Sequence, residues 1–193
     1  NGPNSVTRMY DCVISKHTST GVGVVYNYEI TAGNGMPSLY MANCEISGNS
    51  NGSYGALYNR DGNCVLVNCT VHGNSAKTGA GVFAYGTNAV MTVINCTITG
   101  NKGTTGTAGI TSGNNAKLYV YNTVSAGNTA NAGVEPNASG ITEVTKSLTS
   151  GDASMFGAYN AGVYPLLSGA GLTGGMTVAE LKAIDTKTTV FPL

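Results

Sequence analysis

The chain has 193 residues, of which 9% are charged and 7% aromatic, and its formal net charge is zero. A typical globular domain carries roughly 25% charged residues. Gly, Thr and Asn fill more than a third of the positions, and all three are weak formers of helix interiors, which argues against an all-helical fold. The sequence has no run of Lys or Arg and no stretch of about 20 apolar residues, so we expect neither a nucleic-acid partner nor a transmembrane segment.

A heptapeptide recurs along the first two thirds of the chain. It reads NCEISGN at 43–49, NCTVHGN at 68–74 and NCTITGN at 95–101, and degenerate copies begin at Asp11 and Asn122. The five copies repeat with a period of about 26 residues. Such a period is typical of a solenoid in which each repeat forms one coil.

Each period holds three short segments in which residues alternate by two. One is the heptapeptide, one directly precedes it, as at 64–66, and one is a Gly-centred apolar segment, as at 55–58. None is long enough for a helix, and turn residues separate them. We therefore predict an all-β fold, a right-handed single-stranded parallel β-helix of about five coils with three strands per coil, over residues 1–128.

Parallel pairing between coils stacks equivalent residues about 4.8 Å apart, so the inward positions form columns. We expect the cysteines of the heptapeptides to be small, buried core residues with free thiols, the alternative being a disulfide that involves Cys64 or Cys69. There is no Cys-x-x-Cys pair, and we predict no metal site. The predicted inward columns are Met9, Met41, Leu66, Val93 and Val120; Thr7, Leu39, Cys64, Met91 and Leu118; and Cys12, Cys44, Cys69, Cys96 and Thr123.

A polar residue precedes each heptapeptide cysteine, at a bend between two inward segments. We predict a buried ladder in which each side-chain amide bonds its equivalents in the neighbouring coils. The alternative is that Asn-Cys-Thr at 68–70 and 95–97 are glycosylation acceptors, which burial of those amides would disfavour. The ladder residues are Asp11, Asn43, Asn68, Asn95 and Asn122.

The repeat dissolves after residue 128. We predict that residues 129–193 belong to the same domain as a last irregular coil, a capping segment that covers the open end of the solenoid, and one short helix. The spacing of Thr177 and Glu180 fits a capping box at the start of that helix. Because the chain begins almost inside a coil, we expect a longer parent protein that continues on the N-terminal side.

The segment GALYN at 55–59, followed by the Ser-Gly-Asn or His-Gly-Asn of the heptapeptides, resembles the repeats of polymorphic outer-membrane and autotransporter-type β-helix proteins of bacteria. The chain is also similar to right-handed β-helix surface proteins grouped with choice-of-anchor modules, in which a stretch like residues 164–175 follows the last coil. This resemblance implies a secreted or cell-surface location. It leaves function open, because such proteins include adhesins, passive stalks and pectin lyase-like enzymes that degrade polysaccharides.

Tyrosines recur at the outward positions of the strand that precedes each heptapeptide. The predicted ligand-binding residues are Tyr10, Tyr40, Tyr119 and Tyr121, because a tyrosine offers an apolar ring and a polar tip suited to sugars. The alternative is that this face packs beneath the capping segment or a neighbouring domain.

The candidates for catalysis are few. A polysaccharide lyase or hydrolase needs carboxylates that hold Ca²⁺ beside a basic residue, or a pair of carboxylates that flank the glycosidic bond, and the sequence shows no acidic cluster. Only Glu45 and His72 can meet, diagonally across adjacent coils, and the alternative is that they form a solvated surface pair. The first coil carries an insertion near residues 29–37, and Arg60 and Asp61 lie one coil below it, which predicts the rim of a cleft.

These patterns favour binding over catalysis. We expect a secreted or cell-surface module that binds a glycan or a host-surface protein, without a cofactor. The alternatives are a polysaccharide lyase or glycoside hydrolase that uses Glu45, His72, Arg60 and Asp61, and a passive structural stalk.

Overall fold

The computed structural model of the chain describes residues 4–28, 35–131, 137–145 and 147. These residues form twenty β-strands and no helix, and the strands pair in parallel into a β-solenoid of about four turns. No helix able to span a bilayer occurs among them. The predicted all-β parallel solenoid is confirmed, whereas its right-handed sense and the count of about five coils stay predictions.

Each full turn contributes a strand to four sheets, so the prediction of three strands per turn is wrong. The additional strands are only two residues long, and such a segment cannot display an alternation of apolar and polar residues. They form the third sheet, and in the second to fourth turns they follow the Gly-Asn pair of a heptapeptide. The third sheet contains β3 (Thr18–Ser19), β7 (Ser50–Asn51), β11 (Ser75–Ala76) and β15 (Lys102–Gly103).

The first sheet confirms two predicted inward columns. Its register aligns Met41 with Leu66, and Cys64 with Met91. Met41 and Met91 are fully buried, as the alternation of inward and outward residues requires. The first sheet contains β1 (Val6–Tyr10), β5 (Ser38–Ala42), β9 (Asn63–Val67), β13 (Val90–Ile94), β17 (Lys117–Tyr121) and β20 (Glu143–Thr145).

The second sheet directly follows the column of cysteines. The five cysteines of the chain are free, as expected, and Cys44, Cys69 and Cys96 are buried. Burial raises the pKa of the Cys64 thiol and of the Cys96 thiol, which keeps both protonated at neutral pH. The second sheet contains β2 (Val13–Ser15), β6 (Glu45–Ser47), β10 (Thr70–His72), β14 (Thr97–Thr99) and β18 (Val124–Ala126).

The fourth sheet is formed by the Gly-centred segments. Leu57, Val82 and Ile110 align across neighbouring coils and are fully buried. The residues that alternate with them along each strand point outward, and these outward residues form the candidate site. The fourth sheet contains β4 (Val25–Tyr28), β8 (Leu57–Arg60), β12 (Val82–Tyr85), β16 (Ile110–Gly113) and β19 (Ala138–Ser139).

The predicted asparagine ladder forms, but on the outside of the solenoid. Asn43 donates to Asp11 Oδ1 at 3.2 Å and Asn68 donates to Asn43 Oδ1 at 3.3 Å, and these side chains are exposed. Their backbone is left-handed, with φ of 53° at Asn43 and Asn68, a conformation that asparagine tolerates and that turns the side chain outward here. The prediction of burial is wrong. Because Asn68 and Asn95 are exposed, burial does not disfavour their glycosylation.

A second asparagine ladder lies inside the solenoid, at the last residue of each heptapeptide. Asn74 Nδ2 donates to Asn101 Oδ1 at 3.0 Å and to the Ile46 carbonyl at 2.9 Å. Asn74 Oδ1 accepts from both nitrogens of Asn49 at 2.9 Å. Each interior amide therefore satisfies backbone groups that strand pairing leaves free at this corner. The interior ladder residues of the heptapeptides are Asn49, Asn74, Asn101 and Asn128, and Asn137, which lies after the last heptapeptide, continues the ladder.

Three predictions fall outside the described residues. They are the capping segment, the helix that begins near Thr177, and most of the insertion at residues 29–37.

Candidate binding surface

The outward side chains of the fourth sheet are mainly aromatic. Alternation along β8 turns Leu57 and Asn59 inward, and Tyr58 and Arg60 outward. The register places Tyr58 between two outward aromatic residues of the adjacent coils, and Arg60 between two others. Tyr54 precedes the strand and contacts the same rings. We call this set the aromatic surface: Tyr26, Tyr28, Tyr54, Tyr58, Arg60, Phe83 and Tyr85.

Three rings stack in one column and form the floor of the aromatic surface. The ring centroids of Tyr26 and Tyr58 lie 5.2 Å apart with an interplanar angle of 5°, and those of Tyr58 and Phe83 lie 5.3 Å apart at 24°. Tyr58 and Phe83 are only 2% and 5% exposed. Aromatic pairs of this kind contribute about 0.5–1.5 kcal/mol beyond the burial of their area, so the floor is rigid.

The rim of the aromatic surface remains accessible. Tyr54 is 37% exposed, and its ring lies 4.8 Å from Tyr58 at a tilt of 30°. Tyr28 and Tyr85 are half-buried. Tyr28 stacks on Tyr26 at 5.1 Å, and Tyr85 meets Phe83 edge to face at 5.7 Å. The rim thus presents ring edges and hydroxyl groups beside a buried aromatic floor.

Arg60 lies in register between Tyr28 and Tyr85, which with it form a second column of outward residues on the fourth sheet. Its Cζ lies 4.9 Å from the centre of the Tyr28 ring, and the guanidinium donates a hydrogen bond to the Tyr26 hydroxyl. Burial by itself lowers the pKa of Arg60, but the hydrogen bond with Tyr26 and the nearby tyrosines outweigh it and raise the pKa. Burial raises the pKa of Tyr26, and Arg60 opposes that rise. The guanidinium is therefore charged and held in one orientation.

The four predicted ligand-binding tyrosines lie on the outer face of the first sheet, as expected. They do not form one accessible platform. Tyr40 and Tyr121 are each 4% exposed, and Val65 and Thr92 lie between Tyr40 and Tyr119 in their column. Only Tyr10, at 53%, is well exposed.

The structure brings Glu45 and His72 together. Glu45 Oε1 and His72 Nε2 lie 3.1 Å apart on the second sheet, and each side chain is more than a third exposed. Hydrogen bonds from Ser47 and His72 lower the pKa of Glu45. The other catalytic candidates, Arg60 and Asp61, lie at the end of a fourth-sheet strand, with Arg60 Nε 4.0 Å from Asp61 Oδ2. The two pairs therefore occupy different faces of the solenoid.

Neither pair belongs to a metal centre in the part of the chain that the structure describes. No group of three or more His, Cys, Asp or Glu side chains converges there. The first coil holds an apolar cavity of about 260 Å³. It is lined by inward residues, Thr7, Met9, Ile14, Val25 and Leu39 among them, so it belongs to the hydrophobic core.

The residues of the aromatic surface were not among the predicted site residues, apart from Arg60. Part of the signal was present, because Tyr26 and Tyr58 each stand three residues after the glycine of a Gly-centred segment. Phe83 stands only two residues after its glycine, and the strand register alone aligns it with Tyr58. Tyr54 carries no such signal, since it lies in a turn between two strands and reaches the floor only through the fold.

Comparison with known proteins gives no match: no family model, no curated protein and no solved structure matches the chain. The chemistry of its own surfaces is therefore the basis for assigning a function.

Proposed function

We propose that the protein is a non-catalytic, secreted or cell-surface module that binds glycans through the aromatic surface. The proposal is carried by the accessible rim, in which Tyr28, Tyr54 and Tyr85 lie against the stacked column of the floor. Tyr28 and Tyr85 flank Arg60 in register, so the rim extends over three coils and suits an extended sugar chain. The location outside the cell rests on the resemblance to surface β-helix proteins.

The chemistry of the rim supports a sugar ligand. A sugar ring has apolar C–H groups that pack against aromatic side chains, and hydroxyl groups that need hydrogen-bond partners. Tyr54 and Tyr28 supply both kinds of contact, because each combines an accessible ring with a hydroxyl. The rigid floor lowers the entropic cost of binding, since these rings are ordered before the ligand arrives.

Binding to immobilised polysaccharides, followed by titration calorimetry on any that bind, tests the proposal. Tyr54→Ala removes an exposed rim ring without opening the core, and we expect it to weaken binding about tenfold or more, as loss of a stacking aromatic does. Tyr10→Ala is the matched control, because Tyr10 is more exposed than Tyr54 but lies on the first sheet. Weaker binding by Tyr10→Ala with no effect of Tyr54→Ala would move the site to the first sheet. A wild-type protein that binds no glycan would favour a passive stalk.

A polysaccharide-active enzyme is the second candidate, and the 3.1 Å contact between Glu45 and His72 is the observation that favours it. Hydrogen bonds from Ser47 and His72 lower the pKa of Glu45, which makes its carboxylate a weaker base, so the support for this candidate is the contact geometry alone. Release of reducing ends or unsaturated sugars, abolished by Glu45→Gln, would establish this activity.

A further inference from the structure

We infer that the aromatic surface selects glycans that carry an anionic group, and that Arg60 is the residue that binds this group. The inference rests on the proposed function and adds the chemical class of its ligand. It starts from the position of Arg60, which lies in register between Tyr28 of one adjacent coil and Tyr85 of the other.

Arg60 is the one charged side chain among the described outward positions of the fourth-sheet strands. The other outward positions hold Tyr, Phe, Thr, Ser or Gly. The three floor rings stack directly on one another, and Arg60 meets them only at the Tyr26 hydroxyl. A cation set among aromatic rings is suited to a ligand that combines sugar rings with negative charge.

The guanidinium is ordered before any ligand binds. The Tyr28 ring lies against it at 4.9 Å, and the Tyr26 hydroxyl accepts a hydrogen bond from it. Such restraint matters because a free arginine loses much rotational freedom when it binds a ligand. Arginine also binds carboxylate, sulfate or phosphate oxygens through two parallel N–H groups, which gives the contact a defined geometry.

Asp61 does not occupy the hydrogen-bonding groups of the Arg60 guanidinium. Its Oδ2 lies 4.0 Å from Arg60 Nε, beyond hydrogen-bond distance, and its Oδ1 accepts from the backbone nitrogen of Asn88 at 3.3 Å. Arg60 Nε is buried and has no hydrogen-bond partner among the described residues. The Arg60 side chain is nevertheless 43% exposed, so it is open to a ligand from solvent. We expect an anionic sugar to contact the guanidinium from this side without displacing Asp61.

Affinities for three polysaccharides of similar length test the inference: neutral dextran, the carboxylated polygalacturonate and dextran sulfate. We expect the wild-type protein to bind at least one of the two anionic polymers about tenfold more tightly than dextran, the effect of one charge-assisted contact. Arg60→Gln should abolish that difference. Arg60→Lys keeps the charge but not the paired N–H groups, so it should retain only part of the preference for polygalacturonate.

Arg8→Gln is the matched control. Arg8 also lies over a tyrosine ring, with its Cζ 5.5 Å from the centre of Tyr40, but on the first sheet, and its loss changes the net charge equally. Asp61→Asn should act in the opposite direction and strengthen binding of the anionic polymers a few-fold, because it removes a like charge beside the ligand.

The outcomes separate the two proposals. Equal affinity for neutral and anionic polymers overturns the inference and leaves the proposed function standing. An equal loss of preference in Arg8→Gln and Arg60→Gln also overturns it, because the preference would then reflect net charge alone. A protein that binds none of the three polymers contradicts the proposed function itself. Thermal unfolding of each variant identifies any that lose binding because they are misfolded.

Discussion

The outer faces of the first and fourth sheets both carry tyrosines, yet they differ in what those tyrosines can do. On the fourth sheet, aromatic residues recur at one register position in consecutive coils, and their rings stack at 5.2 and 5.3 Å. On the first sheet, Tyr40 and Tyr119 share a column but are separated by two other residues, and Tyr40 is buried. Aromatic content alone therefore does not make a binding surface in a solenoid. The rings must recur in adjacent coils and keep an accessible rim.

The largest expected difference between the two faces is in stability. Tyr58→Ala removes a ring that is 2% exposed and contacts Tyr26, Tyr54 and Phe83, so it should lower the free energy of unfolding by about 3–5 kcal/mol, as truncation of a buried aromatic does. Tyr10→Ala should change it by less than about 0.5 kcal/mol, because that side chain is exposed. Urea denaturation measures both. A loss below about 1 kcal/mol for Tyr58→Ala would mean that the stacked floor does not form.

The two asparagine ladders place the same type of residue inside and outside the solenoid, and the two positions should differ in their contribution to stability. Asn74→Ala leaves the buried Asn49 backbone N–H and the Ile46 carbonyl without their partner, and should cost at least about 2 kcal/mol. Asn68→Gly removes an exposed ladder side chain while tolerating the left-handed backbone, and should cost less than about 1 kcal/mol. Denaturation of the two variants side by side checks this order. The reverse order would restore the predicted interior position of the Asn68 ladder.

The smallest expected effect is on the stability of the protein at alkaline pH. Burial raises the pKa of Tyr58 above the ordinary value of about 10, so the folded state favours the protonated phenol. This contribution to stability is complete below that value and is lost as the pH rises above it. Stability should therefore fall less steeply between about pH 9 and about pH 11 in Tyr58→Phe than in the wild-type protein. Parallel curves for Tyr58→Phe and wild type would contradict the raised pKa.

The sequence was sufficient to predict an all-β parallel solenoid and the register of the inward columns of its first sheet. A repeated heptapeptide places each residue beside its own equivalent in the next coil, so the repeat alone assigns Met41, Leu66 and Val93 to one column. The contact between Glu45 and His72 followed from the same rule, since adjacent outward positions on adjacent coils are neighbours.

Other features depend on backbone conformation or on turns, which the repeat does not encode. Asn43 and Asn49 flank one short strand, and only the left-handed backbone at Asn43 decides that its side chain points outward. The two-residue strands of the third sheet carry no periodic signal. The accessible rim of the aromatic surface depends on Tyr54, which a turn brings onto the rings of Tyr58 and Phe83.

Nuclear magnetic resonance titration with a short oligogalacturonide tests most directly which face binds the glycan. Backbone amide shifts report contacts on both faces in a single experiment. We predict shifts that concentrate in β4, β8 and β12 and around Tyr54, with the amides of β5, β9 and β17 unchanged. Shifts confined to the first sheet, around Tyr10 and Tyr119, would contradict the account and assign binding to the face that the sequence pattern favours.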